Sequence, residues 1–309
     1  MITALAGGVG AARFLQGLVK IVPEEEITVI VNTGDDIDLY GLHISPDLDI
    51  VMYTLAGIVD EEKGWGIRDD TFHCLDMLGR YGHETWFNIG DKDFATHIYR
   101  THLLRNGLSL SEATKTLCQK LGLKVKILPM TDDKFETTIV TPDAAMHFQE
   151  YLVKRQAKDK VVNVLFEGGK EAKPAPEVVD SILNAKAVII CPSNPIVSIG
   201  AILFLNDIKK AIKETEARVA AVSPIVGGSP VKGPADKLMQ GLGLDVSACA
   251  VASLYLDFLD VFIIDQADRT QKKQIENLGL HVVVTDTVMK SLEDKIRLAK
   301  VTLESVGVR

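Results

Sequence analysis

The chain has 309 residues, 47% of them hydrophobic and 25% charged, with a formal net charge of -8. That balance excludes a disordered chain and argues against a surface that tracks a nucleic-acid backbone, because phosphate neutralisation needs clustered Lys and Arg. Four scattered cysteines with no Cys-x-x-Cys pair argue against a zinc site and a disulfide framework, and no apolar run reaches the roughly 18 to 20 residues of a membrane span.

Cys74, Cys118, Cys191 and Cys249 read as buried free thiols. The chain opens on an apolar strand without a basic leader, so a cytoplasmic protein is expected, with neither nucleic acid nor membrane as partner.

Short, continuous apolar runs recur at 2–6, 27–31, 161–166, 187–191, 219–222, 261–265 and 281–285. Continuous rather than alternating apolarity marks strands covered on both faces. Helical periodicity fills most of the intervals, at 11–19, 176–184, 196–213, 235–241, 270–278 and 288–303. The alternation predicts a Rossmann-like α/β fold, a doubly wound and mainly parallel sheet. Residues 57–155 read differently, with helical pieces at 69–81, 94–105 and 111–121, then strand-like pieces at 124–128 and 136–141. The expectation is a core of 1–56 and 156–309, with 57–155 inserted as a mainly helical cap.

The first strand runs into Gly7-Gly8-Val9-Gly10-Ala11-Ala12-Arg13. Glycines let the backbone turn and approach a ligand, and the N–H groups of the following helix face negative charge, which makes an anion cradle. No Gly-Lys-Ser/Thr follows, and Arg13 replaces the third glycine of a dinucleotide fingerprint, which weakens a P-loop and a nicotinamide-dependent oxidoreductase. Arg13 is a candidate phosphate clamp.

The second strand ends in Asn32-Thr33-Gly34-Asp35-Asp36-Ile37-Asp38, and Ser45-Pro46-Asp47-Leu48-Asp49 and Asn88-Ile89-Gly90-Asp91-Lys92-Asp93 come after it. Acidic loops beside an anion cradle need a counter-charge or a polyhydroxylated partner, and a hard, oxygen-ligated Mg²⁺ or sugar hydroxyls fit. Of the histidines there, His43, His73 and His97 show no metal-ligand spacing. In the second half Pro192-Ser193-Asn194-Pro195 follows one strand, and a long loop, Ser223-Pro224-Ile225-Val226-Gly227-Gly228 through Lys232, follows the next. Long loops at this sheet edge are often functional, and Lys232 is a candidate phosphate contact.

Taken together, Ala6 to Gly10, Asn32 to Asp36, Ser45 to Asp49, Gly90 to Asp93, Pro192 to Pro195 and Ser223 to Gly228 make the chain similar to the 2-phospho-L-lactate transferase (CofD) family of coenzyme F₄₂₀ biosynthesis, over essentially its whole length. The resemblance implies a Mg²⁺-dependent transfer of a 2-phospho-L-lactyl or phosphoenolpyruvyl group. The donor would be lactyl- or enolpyruvyl-diphospho-guanosine. The acceptor would be the ribityl hydroxyl of the deazaflavin 7,8-didemethyl-8-hydroxy-5-deazariboflavin (Fo), and GMP would leave.

By matching motifs, Asp49, Asp91 and Lys92 would contact Fo, while Asp35, Asp36, Asp47 and Asp49 form the catalytic set. Asp35 and Asp36 would be the metal ligands. Gly7, Gly8, Gly10, Arg13, Ser193, Asn194, Gly227, Gly228 and Lys232 would hold the guanosine diphosphate, and a homodimer is expected. The alternative is a nucleotide-ligand-binding regulator of the gluconeogenesis-factor branch of the same superfamily. Its second acidic motif reads closer to Pro-Gly-Asp-Ile-Arg-Asn, so Ser45-Pro46-Asp47-Leu48-Asp49 favours the transferase.

Overall fold

A computed structural model describes residues 1–308. Seven strands form the central sheet: β1 (Ile2–Ala6), β2 (Ile27–Val31), β3 (Lys126–Pro129), β4 (Ala187–Ile190), β5 (Arg218–Val222), β6 (Val261–Asp265) and β7 (His281–Thr285). Their order is β7-β6-β5-β4-β1-β2-β3, with every pairing parallel. β1, β2, β4 and β6 are buried along their whole length. Helices cover both faces, which explains why these strands read as unbroken apolar runs.

Topology decides where a ligand can lie. From β1 the chain winds outward through β2 to β3, then returns to place β4 on the other side of β1. The loops after β1 and β4 therefore diverge to opposite faces and leave a crevice at the carboxyl ends of the strands. The glycine turn opens helix α1 (Gly8–Leu18), and α2 (Pro46–Leu55) packs beside it.

Two expected strands exchange places. The expected cap segment at 124–128 supplies β3, the edge of the central sheet. The run at 161–166, expected in the core, forms Asn163–Glu167 of a separate three-stranded antiparallel sheet with Glu136–Val140 and Ala145–His147. Burial explains the exchange: Asn163–Glu167 alternates exposed and half-buried residues, whereas Ile127, Leu128 and Pro129 are all buried. The stretch 57–155 is thus not one continuous insertion.

Helix α4 (Asp91–Arg105) stands over the crevice with α3 (His73–Arg80) packed against it, and α5 (Leu110–Lys120) leads back to the sheet. The expected helix over 196–213 is broken at Leu205, whose ψ of 103° is extended, into Ile199–Phe204 and Asn206–Glu214. The last helix starts at Leu292 behind a Ser291/Asp294 capping box, which frees 287–290 as a loop at the crevice. Among the described residues no helix is long and apolar enough to cross a membrane, and the four cysteines are free, with Cys74 exposed rather than buried.

Candidate functional site

A cavity of about 620 Å³ occupies the crevice. Gly7, Gly8, Gly10 and Arg13 line it from the first turn, Asp35 from the second, Asp47 and Asp49 from the start of α2, Ser193 and Asn194 from the loop after β4, and Lys232 from the loop after β5. Loops distant in sequence therefore meet at one rim of the sheet, as the strand order requires.

The glycine turn is held by its neighbour across the switch point. Gly7 N–H donates to Ser193 Oγ at 3.3 Å. A Cβ on Gly10 would lie 2.1 Å from the Pro192 carbonyl oxygen, so only glycine lets the two loops close. Gly7, at the N-cap of α1, brings no side chain of its own. The Gly8 N–H bonds the Asp47 carboxyl, and the remaining unpaired N–H groups of the first turn, with the helix dipole, favour an anion. Arg13 Nη2 and Lys232 Nζ both stand within 4.0 Å of where a Gly64 Cβ would be. Burial, reinforced by the charge of Arg13, lowers the pKa of Lys232. Two cations thus share one wall.

Against the glycine turn the wall is acidic. Asp35 is 4% exposed and Asp47 6%. Asn32 Nδ2 donates to Asp47 Oδ2 at 2.9 Å, and Gly34 N–H to Asn32 Oδ1 at 2.9 Å, so the asparagine orients the pair. Burial drives the Asp47 carboxyl up to about 7; the charge of Asp36 adds to this, against hydrogen bonds from Asn32 and the Gly8 N–H. Burial and then the charge of Asp47 push Asp35 well above the usual range, and its Oδ1 is buried without a hydrogen-bond partner. Two carboxyls with no cation between them are the arrangement that favours a proton or a metal ion.

Asp49, two residues along the same helix, has the opposite environment. Arg100 of α4, wholly buried, holds both its oxygens: Nη1 donates to Oδ2 at 3.1 Å and Nη2 donates to Oδ1. His97 Nδ1 lies 3.6 Å from Asp49 Oδ2, and its Nε2 lies 3.3 Å from Asp93 Oδ1. Tyr53 OH donates to the same Asp93 oxygen at 2.7 Å. Burial works to raise Asp93, but hydrogen bonds from His97 and Tyr53, with the charges of His97 and Arg100, hold it below the usual carboxylate range. Tyr53, Asp93 and His97 line the cavity with Asp49.

Several expected site residues lie elsewhere. Asp36 does not line the cavity; its Oδ2 accepts from Ser45 Oγ at 2.7 Å and stands 3.2 Å from His43 Nε2. Asp91 caps α3, accepting from the N–H groups of His73 and Cys74 and from Thr71 Oγ1. Lys92 Nζ donates to the carbonyls of Arg68 and Asp69, each at 2.8 Å, away from the cavity. Gly227 N–H donates to Asp268 Oδ2 at 3.0 Å, and neither Gly227 nor Gly228 reaches the cavity. Among the described residues no group of three or more His, Cys, Asp or Glu side chains stands at metal-binding geometry.

Sequence reading missed Arg100, Tyr53, and the aromatic wall of Trp65, Phe87 and Phe148. A signal for Arg100 exists: Asp93, His97 and Arg100 lie at i, i+4 and i+7 of α4, a polar stripe at helical period that a buried network requires.

The sequence profile of the family described as 2-phospho-L-lactate transferase CofD matches residues 2–303. The 2-phospho-L-lactate transferase of Methanocaldococcus jannaschii is 43% identical, across 99% of this chain and 98% of its own length. The phosphoenolpyruvate transferase of Streptomyces griseus is also 43% identical, across 98% and 97%. A member of the UPF0052 family from Bacillus halodurans superposes with a TM-score of 0.67 at 16% identity, covering 98% of both chains. That last likeness concerns the fold alone.

Proposed function

The chain belongs to the 2-phospho-L-lactate transferase CofD family, and from that premise we propose that its cavity moves a phosphorus-linked short acid from a guanosine diphosphate donor to the ribityl hydroxyl of Fo. The hydroxyl oxygen attacks the phosphorus that carries the acid. The new P–O bond forms as the bond to the bridging oxygen breaks, GMP leaves with the electron pair, and the product is a phosphodiester. Relatives are named both 2-phospho-L-lactate and phosphoenolpyruvate transferases, and either acid fits this scheme.

What carries the reading is the convergence, in one cavity, of a glycine-led helix start, two cations and two carboxyls without a counter-charge. Phosphoryl transfer needs charge neutralisation, alignment and an oriented hydroxyl more than a covalent nucleophile. Amides of the Gly7 to Gly10 turn, Ser193, Arg13 and Lys232 face the diphosphate. Trp65, Phe87 and Phe148 offer flat apolar surface to the deazaflavin ring. Asp47, with a carboxyl that titrates near 7, takes the hydroxyl proton. Asp49 contributes to the acceptor wall, its charge held in place by Arg100. Lys92 and Asp91, being occupied elsewhere, are left out of the Fo contacts.

Mg²⁺ fits the acidic wall through Asp35, with the neighbouring Asp47 left free to act as the base. Mg²⁺ keeps several waters and uses one or two carboxylates plus substrate phosphates, so a second protein ligand is not required. The orphaned Asp35 Oδ1 is the observation that supports it. When bound, the ion neutralises the diphosphate charge.

The test is to incubate the purified protein with Fo, Mg²⁺ and lactyl-diphospho-guanosine and to follow GMP and the new phosphodiester. Stoichiometric appearance of both is expected. Nucleotide binding with no GMP released would overturn the reading.

A further inference from the structure

Beside the cavity lies a second, small pocket of about 80 Å³, also lined by Arg13. The two spaces share Val9, Arg13, Ile50, Met289 and Lys290 as walls, so only these side chains separate a ligand in the large cavity from the small one. Its size corresponds to two or three waters at roughly 30 Å³ each. A three-carbon acid fits there; a purine or a deazaflavin ring does not.

The pocket is built around a buried cation. Lys295, 8% exposed, comes from the last helix, and its Nζ donates to Gln16 Oε1 at 2.5 Å. Gly17 makes this placement possible, because a Cβ there would lie 2.3 Å from the Lys295 backbone carbonyl. An ammonium has three donors, and Gln16 is a neutral partner. Burying a charge costs heavily unless a counter-charge answers it.

The answer within this chain is a carboxylate. Glu61 reaches in from the hairpin that Val59 and Ile67 close, and Gln16 Nε2 donates to its Oε1 at 3.0 Å. That hydrogen bond, then the charge of Lys295, and further those of Arg68 and Arg13, hold Glu61 below its usual range. The pocket thus already stabilises a carboxylate, but one carried on an exposed hairpin. Val9, Ile50, Val59 and Met289 give the pocket apolar surface for the carbon skeleton of a small acid, and Arg13 and Lys290 add two further cations to its walls.

We propose that this side pocket seats the carboxylate of the acid being transferred, read by Lys295 and Gln16, with Glu61 as the internal carboxylate that yields its place when the donor arrives. The inference rests on the transfer reading above and adds to it a requirement: the donor must carry a carboxylate next to the ester oxygen. A donor with a plain alkyl group in the same position lacks the partner that Lys295 needs.

The experiment compares two donors, lactyl-diphospho-guanosine and the ethyl ester of guanosine diphosphate, which is the same molecule without its carboxylate. GMP release is measured with Fo and Mg²⁺, and GDP affinity by calorimetry. The wild type should prefer the lactyl donor by about tenfold or more in kcat/KM. Lys295→Met should erase most of that preference through the lactyl donor alone, leaving the ethyl ester and GDP affinity within about twofold. If Lys295→Met does not fold, Gln16→Leu should show the same pattern at smaller amplitude. Equal turnover of both donors by the wild type, or an equal fall for both donors in the variants, would overturn the inference. Release of GMP from neither donor would sink the transfer reading itself, and this inference with it.

Discussion

Asp47 and Asp49 sit two residues apart in the first turn of one helix, both nearly buried, yet they live in opposite electrostatic worlds. Residues at i and i+2 face different directions on a helix. Asp47 therefore looks toward Asp35 and the glycine turn with no cation beside it, while Asp49 looks into α4 and is gripped by Arg100. Charge left uncompensated in a folded protein is retained at the expense of stability, and a binding site is a common reason. Charge that is fully answered holds a wall in place. On the proposed transfer, the difference would give the chemistry to Asp47 and the positioning to Asp49.

Removing each charge should have opposite consequences. Asp47→Asn should lower the rate of GMP release by about 10²–10⁴-fold, the usual range for losing a general base. The same change should stabilise the metal-free protein at pH 8 by about 1–3 kcal/mol, since a strained carboxylate is relieved. A lower melting temperature for this variant would break the comparison. Asp49→Asn should instead destabilise by about 3–5 kcal/mol, because it leaves the buried Arg100 without its counter-charge. Denaturant unfolding distinguishes the two signs, and an Asp49→Asn protein as stable as the wild type would show that Arg100 is not what fixes this wall.

A smaller effect concerns pH. The folded Asp47 carboxyl titrates near 7 against an ordinary 3.8, so the folded state holds its proton where the unfolded chain has released it. Stability of the metal-free protein should therefore decline as pH rises from about 4 to about 7. Added Mg²⁺ should oppose that decline. Melting curves across this range, compared with those of Asp47→Asn, isolate the contribution, and parallel curves for the two proteins would contradict it. The smallest expected change is Tyr53→Phe. Losing the 2.7 Å bond to Asp93 should cost about 1–2 kcal/mol, with GDP binding intact.

Much of this was legible before the fold. The apolar runs located six of the seven core strands, and the glycine turn, the acidic turn and the Ser193-Asn194 loop were all recognisable by their turn chemistry. Their convergence follows from a parallel sheet that reverses direction beside β1. What failed to show was whatever depends on partners across space. Asn163–Glu167 and Lys126–Pro129 are both short and mixed in character, and only the packing of neighbours decides which of them joins the core. Arg100, Lys295 and Gln16 look like solvated helix residues in one dimension. Arg100 and Lys295 become buried, and Gln16 half-buried, only when α4 packs near α2 and the last helix meets α1. The hydrogen bonds of Lys92 and Asp91, which cap α3 and brace the loop before it, were equally invisible in their motif.

The most direct measurement is a crystal structure with Fo, Mg²⁺ and a non-hydrolysable donor. The account predicts a diphosphate on the amides of Gly8 to Gly10, with the ribityl hydroxyl facing the phosphorus from the side of Asp47. A diphosphate bound away from the glycine turn, or an acceptor hydroxyl directed toward Lys92, would contradict it.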